Sequence, residues 1–254
     1  MDFFRWSHNL LNRIEGRLRR VRLEHKFQLY KQQIAGNHPL KDFPMRNIGD
    51  MSADPHELFS HYAGYSMWLA KKLKAEGGGG KKILDVGNLK VTNALLALDH
   101  SVTAVVLMDC EDEISNVNYV MHDIGTPLPF EDKSFDVFSS LASLHLVGLG
   151  RYSDELNPNT LIRFIDELDR VMKDSSDLIF SVSYGRTCLT FNEGWKFDID
   201  MLQSLFNKWK LVDWLIDNHS SHTVKPYKER YTKDLSLDGW REGEYRVIFL
   251  HFKR

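Results

Sequence analysis

The sequence predicts an α/β fold, a doubly wound and mainly parallel sheet of about seven strands with an antiparallel C-terminal strand. Three observations carry that expectation. Short β-branched and apolar runs alternate with helical patterns from residue 81 onward, which implies βαβ units. Lys82–Val86 has the pattern of a short buried strand, and Val102–Met108 is β-branched and apolar. Two strand patterns near the C-terminus have no helical pattern between them, so one is expected to run antiparallel.

In chain order, Lys82–Val86 (KILDV) reads as a buried strand and Val91–Leu98 as a helix. Val102–Met108 and Val117–Met121 read as the second and third strands, and Phe135–Leu141 (FDVFSSL) as the fourth. Leu161–Met172 repeats its apolar residues with a helical period. Leu178–Ser183 is a strand, Asp198–Phe206 a helix, Lys210–Ile216 a strand and Tyr245–Phe252 the last strand.

The first 80 residues read as a helical extension, separate from a domain spanning 81–254. From Phe3 to Phe27, Phe4, Leu11, Ile14, Leu18 and Val21 recur at helical spacings. The other face is basic: Arg5, Arg13, Arg17, Arg19, Arg20, Arg22 and Lys26 stand against Glu15 and Glu24. Such a helix suits an anionic membrane surface, packing on its own domain, or dimerisation. Gly36–Pro55 reads as a loop, and Pro55–Ala75 as a second helix with Lys71, Lys72 and Lys74 at its C-terminal end. Gly77–Gly80 end it.

Composition narrows the function. The 254 residues are 43% hydrophobic, enough for a folded core. Lys plus Arg total 33 against 35 Asp plus Glu, which argues against a dedicated nucleic-acid binder. Two cysteines, Cys110 and Cys188, are too few for a disulfide framework. Neither a membrane-length apolar run nor a signal-peptide pattern is present, so a cytoplasmic location is expected, with the basic helix allowing contact with the inner face of the membrane. His219 and His222 lack a third ligand nearby, so no metal is expected.

In a doubly wound sheet, ligands sit outside the carboxyl ends of the strands. The first strand ends in Asp85-Val86-Gly87-Asn88, where a glycine admits close backbone approach or simply turns the chain. The second leads into Asp109. From Gly87 it fits the roughly 20-residue spacing at which a carboxylate takes ribose hydroxyls. The third leads into His122-Asp123-Ile124, where Asp123 suits an adenine amino group or a turn before Gly125. Together the three strand ends point to a nucleoside cofactor.

D-V-G, Asp109 and then H-D-I-G-T-P-L-P-F-E-D-K-S-F-D-V-F-S-S resemble the class I S-adenosylmethionine-dependent methyltransferases, a Rossmann-like family, over about Lys81–Arg254. The resemblance implies S-adenosyl-L-methionine as cofactor. Asp85 and Gly87 would border its methionine part, Asp109 would take the ribose, and Asp123 with Ile124 would line the adenine. The usual D-x-G-x-G-x-G is D-V-G-N-L-K here, without the second and third glycines.

Leu144–Pro158 (L-H-L-V-G-L-G-R-Y-S-D-E-L-N-P) is similar to an uncharacterised bacterial family marked by G-L-G-R-Y-G-D-P-x-D-P, with Ser153, Glu155 and Asn157 as departures. Members look like methyltransferases of surface-polysaccharide synthesis, which implies a sugar or sugar-phosphate acceptor. His145 would be the general base, its ordinary pKa near neutrality suiting proton removal from a hydroxyl. Arg151 would hold an anionic group, with Tyr152, Asp154 and Asn192 as further acceptor contacts. A core role for His145 and an Arg151–Asp154 pair are the plainer alternatives. Ser183–Arg186 and Trp195 would close the pocket. The other functions left open are a non-catalytic scaffold in glycan assembly and another nucleotide-linked transferase on the same fold.

Overall fold

The computed structural model describes residues 61–254 other than 76, 88, 108–113, 115, 151, 153, 192, 219–229 and 242, together with positions 18, 21, 22, 24, 25, 28, 29 and 32. The chain forms two compact units, Met1–Asp54 and Pro55–Arg254. In the first unit the described positions are all helical, with Leu18, Val21 and Leu29 exposed. Most of the helix expected over Phe3–Phe27, and the loop expected over Gly36–Pro55, lie outside the described residues.

In the second unit, α1 (His61–Ala75) leads into β1 (Lys82–Val86), α2 (Lys90–Leu96), β2 (Ser101–Val106), β3 (Val117–Met121) and β4 (Phe135–Leu141). A 3-10 turn at Leu144–Leu146 precedes α3 (Thr160–Val171) and β5 (Met172–Tyr184). The short strands β6 (Cys188–Thr190) and β7 (Gly194–Lys196), helix α4 (Ile199–Leu205), β8 (Lys210–Asp217), β9 (Tyr231–Thr232) and β10 (Arg246–Lys253) complete the order.

The main sheet runs β3-β2-β1-β4-β5-β10-β8-β9. Strands β1 to β5 pair in parallel, while β10 is antiparallel to both β5 and β8. The expected antiparallel C-terminal strand is therefore present, inserted between β5 and β8. The chain starts mid-sheet, winds out to β3 and returns beside β1 as β4. The direction of winding reverses between β1 and β4, which opens a crevice at their carboxyl ends.

Both faces of the sheet are covered, so Ile83, Leu84, Asp85 and Val86 of β1 are all buried. On one face, α3 buries Leu161, Phe164, Ile165, Leu168 and Val171, a stripe with helical spacing. They join Phe138, Phe180, Phe206 and Phe252, and the rings of Phe180 and Phe252 stack at 5.8 Å. On the other face, α1 buries Tyr65, Trp68, Leu69 and Leu73 against Ile83, Ile179 and Phe249. Gly64 permits that approach, since a Cβ there would lie 2.4 Å from the Tyr231 hydroxyl. The Tyr65 hydroxyl donates to the Ile179 carbonyl at 2.6 Å. The helix grouped by sequence with the N-terminal extension thus belongs to the compact unit that holds the sheet.

Strand boundaries differ from expectation where no turn residue marks them. Strand β5 begins at Met172, directly at the end of α3, six residues before the apolar run starts. The pair β6–β7 and the two-residue β9 are too short to carry a period. No helix among the described residues is long and apolar enough to cross a membrane.

The L-P-F segment before β4 is fixed by one ion pair. Glu167 on α3 accepts from the Leu128 N–H at 2.7 Å and from Arg170 Nη2 at 2.7 Å. Arg170 in turn donates to the Leu128 and Phe130 carbonyls at 2.9 and 2.7 Å. The Arg170 hydrogen bond holds the Glu167 carboxyl below its usual range, outweighing its burial. A depressed folded pKa stabilises the fold above the unfolded value, near pH 4.3, and that contribution is lost as pH falls through the lower folded value. Glu167→Gln is therefore expected to cost roughly 1 kcal/mol at pH 7, and the gap to wild type to narrow below about pH 4. Urea denaturation at both pH values measures it, and an undiminished gap at low pH contradicts the assignment.

Candidate functional site

A cavity of about 600 Å³ lies at the carboxyl ends of β1, β2, β3 and β4, in the size range of small-molecule and cofactor sites. Asp85, Gly87, Asp123 and Ile124 all line it, so sequence positions from two strand ends meet as expected. Val105, Val106, Leu107 and Ile124 supply apolar wall, while Tyr62, Lys90, Tyr119, His122 and Tyr152 bring polar groups. Asp109, Arg151 and Asn192 lie outside the described residues.

Asp85 ends β1 almost fully buried, at 1% exposure. Its carboxylate accepts from Asn93 Nδ2 at 2.9 Å and Ser139 Oγ at 3.1 Å, which ties α2 and β4 to the end of β1. The phenol of Tyr65 lies close enough to feel that charge. Burial pushes its pKa well above the ordinary value, and Asp85 pushes it further.

Gly87 turns the chain out of β1 at φ +81°, in the left-handed region. A Cβ at this position would lie 1.9 Å from Ser143 Oγ and 2.6 Å from Ser143 Cβ. The loop after β4 thus occupies the space that glycine leaves. That loop begins at Ala142, a non-glycine residue at φ +49° whose N–H donates to Ser181 Oγ at 2.9 Å and the Ser181 carbonyl at 3.1 Å. Such a conformation persists only where surrounding bonds hold it.

Asp123 takes the turn role and also reaches the cavity wall. Its Oδ1 accepts from the Gly125 N–H at 2.8 Å, closing a turn, while the residue stands on the cavity wall. His122 beside it places Nε2 3.0 Å from the Pro127 carbonyl and 3.1 Å from Thr126 Oγ1.

The loop after β4 adds to one expectation and corrects another. Asp154 was expected to face the acceptor, and it does reach the cavity, but its carboxylate organises the loop. It accepts the N–H groups of Gly148, Gly150 and Tyr152 at 2.9, 3.3 and 3.0 Å. His145 does not line the cavity. It sits in the 3-10 turn at 7% exposure, and a Cβ built on Gly194 would lie 2.7 Å from its Cδ2. The tight turn sends His145 toward the β6–β7 pair and leaves Leu146 and Val147 on the cavity wall. Tyr152, by contrast, lines the cavity as expected and is 54% exposed.

The residues after β5 serve another part of the fold. The Tyr184 hydroxyl donates to the Leu235 carbonyl at 2.6 Å, and Arg186 donates to the Leu237 and Trp240 carbonyls. Trp195 stacks on Phe197 at 6.3 Å. No group of three or more metal-ligating side chains occurs among the described residues, and His219 and His222 lie outside them. Tyr62, Lys90 and Tyr119 are wall residues that the sequence did not single out. Tyr62 reaches the site from α1, far away in the chain, whereas Lys90 follows directly on the Gly87 turn.

The strand order and the crevice define the class I methyltransferase fold, and solved structures share it. N-methyltransferase NodS from Bradyrhizobium japonicum WM9, in complex with S-adenosylhomocysteine, is 13% identical with a TM-score of 0.53, covering 90% of this chain and 97% of that one. 1,6-Didemethyltoxoflavin-N1-methyltransferase from Burkholderia thailandensis is 14% identical with a TM-score of 0.52, covering 79% and 82%. The [4+2]-cyclase SpnF is 16% identical with a TM-score of 0.52, covering 74% and 79%. Residues 81–234 match the family described as Caenorhabditis protein of unknown function, DUF268, and the chain belongs to that family. No curated protein matches the chain.

Gly87→Ala is expected to destabilise the fold by more than about 1 kcal/mol, through left-handed strain and collision with Ser143. The double variant Gly87→Ala/Ser143→Gly should recover part of that loss in thermal melts. If it recovers none, the contact does not limit the site.

Proposed function

We propose that this protein is an S-adenosylmethionine-dependent methyltransferase whose donor occupies the cavity at the ends of β1 to β4. The observation that carries the reading is that Asp85, Gly87, Asp123 and Ile124 line one cavity of suitable size in this fold. The residues present suit the donor. Val105, Val106, Leu107 and Ile124 offer apolar surface to an adenine ring, and Asp85, Lys90 and Asp123 offer charged groups to its polar parts. When bound, the donor supplies a sulfonium methyl group with a good leaving group.

Asp85 and Gly87 would hold the methionine end, Asp109 the ribose, and Asp123 with Ile124 the adenine. The chain's own contribution to methyl transfer is chiefly positioning within a walled site that sheds water. Asp154 serves this by fixing the loop that carries Tyr152. The base expected at His145 lies off the cavity, so its side chain is assigned a packing role.

The acceptor reading is a hydroxyl of a sugar or sugar phosphate, in surface-polysaccharide synthesis at the cytoplasmic side of a membrane. It is supported by the resemblance of the Leu144–Pro158 loop and by the exposed Tyr152 ring beside the cavity. Arg151 and Asn192 would contact that acceptor.

A second reading is favoured by Leu89, which stands on the cavity wall where the resemblance places a glycine. There the chain is a scaffold that no longer takes the donor. Titration calorimetry with S-adenosylhomocysteine separates the two. The enzyme reading expects binding well below millimolar, whereas none at millimolar ligand overturns it. Binding without methyl transfer to any glycan acceptor favours another nucleotide-linked chemistry, and the cyclase among the fold's neighbours is a reminder that the fold hosts more than one.

A further inference from the structure

We propose that Lys90 holds the carboxylate end of the donor, in place of the backbone N–H groups that a glycine-rich turn would present. This rests on the donor reading above and concerns how an altered turn retains the ligand. After Gly87, the positions that would carry the second and third glycines are Leu89 and Val91. Leu89 has ordinary extended geometry, φ −66° and ψ 143°, and forms part of the cavity wall. A side chain at that position keeps ligand atoms away from the backbone, so the usual N–H contacts are lost.

The cavity's charge makes the loss consequential. Its described walls carry three carboxylates, Asp85, Asp123 and Asp154, and Lys90 is the Lys or Arg among the described wall residues. A ligand carboxylate entering beside those acids needs a cation to offset them. Lys90 is placed for it. It is the first residue of α2, and Asn93 on the same helical face donates to Asp85 at 2.9 Å. Lys90 and Asp85 therefore flank Gly87 with opposite charges. A zwitterionic amino-acid group, carboxylate toward the lysine and ammonium toward the aspartate, matches that pair. A flexible four-carbon stem lets the ammonium reach past Leu89, which a backbone donor cannot do.

The test compares two probes on the full chain by calorimetry. S-adenosylhomocysteine carries the amino-acid end, whereas 5′-methylthioadenosine keeps the nucleoside thioether and lacks it. Lys90→Met should weaken S-adenosylhomocysteine by about tenfold or more, the worth of a charge-assisted hydrogen bond, and leave 5′-methylthioadenosine within about twofold. Lys90→Arg should restore most of the difference. Equal weakening of both probes, or of neither, overturns the assignment to Lys90 while the donor reading stands. Failure of wild type to bind either probe overturns both. Melting curves recorded for Lys90→Met and Lys90→Arg beside the titrations separate a loss of binding from a loss of folding.

Discussion

A buried carboxylate at the end of the first strand holds this site together. Asp85 is almost inaccessible to water, and an ionised carboxylate there is tolerable only with donors aimed at it. Asn93 from α2 and Ser139 from β4 provide them. Because those donors come from the two elements that flank β1 at the point where the winding reverses, satisfying one charge also sets the spacing of the crevice. Tyr65 of α1 lies near enough to feel the same charge, and its hydroxyl donates to the Ile179 carbonyl of β5. The polar groups around the cavity are thus part of the fold's own accounts of hydrogen bonding.

The glycine turn shows how packing and function share a residue. Gly87 has the left-handed backbone that a nucleotide-binding turn calls for, yet the space beside it is filled by Ser143. Close approach here is between two loops of the protein. The strained Ala142, held by Ser181, sets where Ser143 falls. A ligand in the cavity therefore meets a turn already braced from the β4 side, with Leu89 and Lys90 as its outward face. Sequence likeness of 13–16% to solved structures establishes the fold and leaves the chemistry to these residues.

Much of the architecture was legible in the sequence because buried parallel strands are short apolar runs between polar turns. Strands β1 and β4 lie where those runs do, the part-exposed edge strand β3 also keeps its expected span, and the α3 stripe follows from its period. What the sequence could not give was set by contacts between distant segments. Helix α1 looked like part of an extension, since nothing local reveals that Tyr65 and Trp68 pack on Phe249. Asp85, Gly87, Asp123 and Ile124 were readable because they sit at strand ends, where topology alone delivers them to one cavity. His145 was misjudged because a 3-10 turn rotates successive residues by about 120°, so a one-residue difference separates cavity wall from core. Asp154 stands on the cavity wall as the sequence suggested, while its three N–H partners emerge only once the loop folds back on itself.

The central claim is that one adenosine-bearing molecule spans the ends of β1 and β3. A crystal structure grown with S-adenosylhomocysteine tests it most directly. The account predicts ligand density inside this cavity, with the nucleoside against Asp123 and Ile124 and the amino-acid end between Asp85 and Lys90. Density lodged elsewhere on the protein, with this cavity left to solvent, would contradict it.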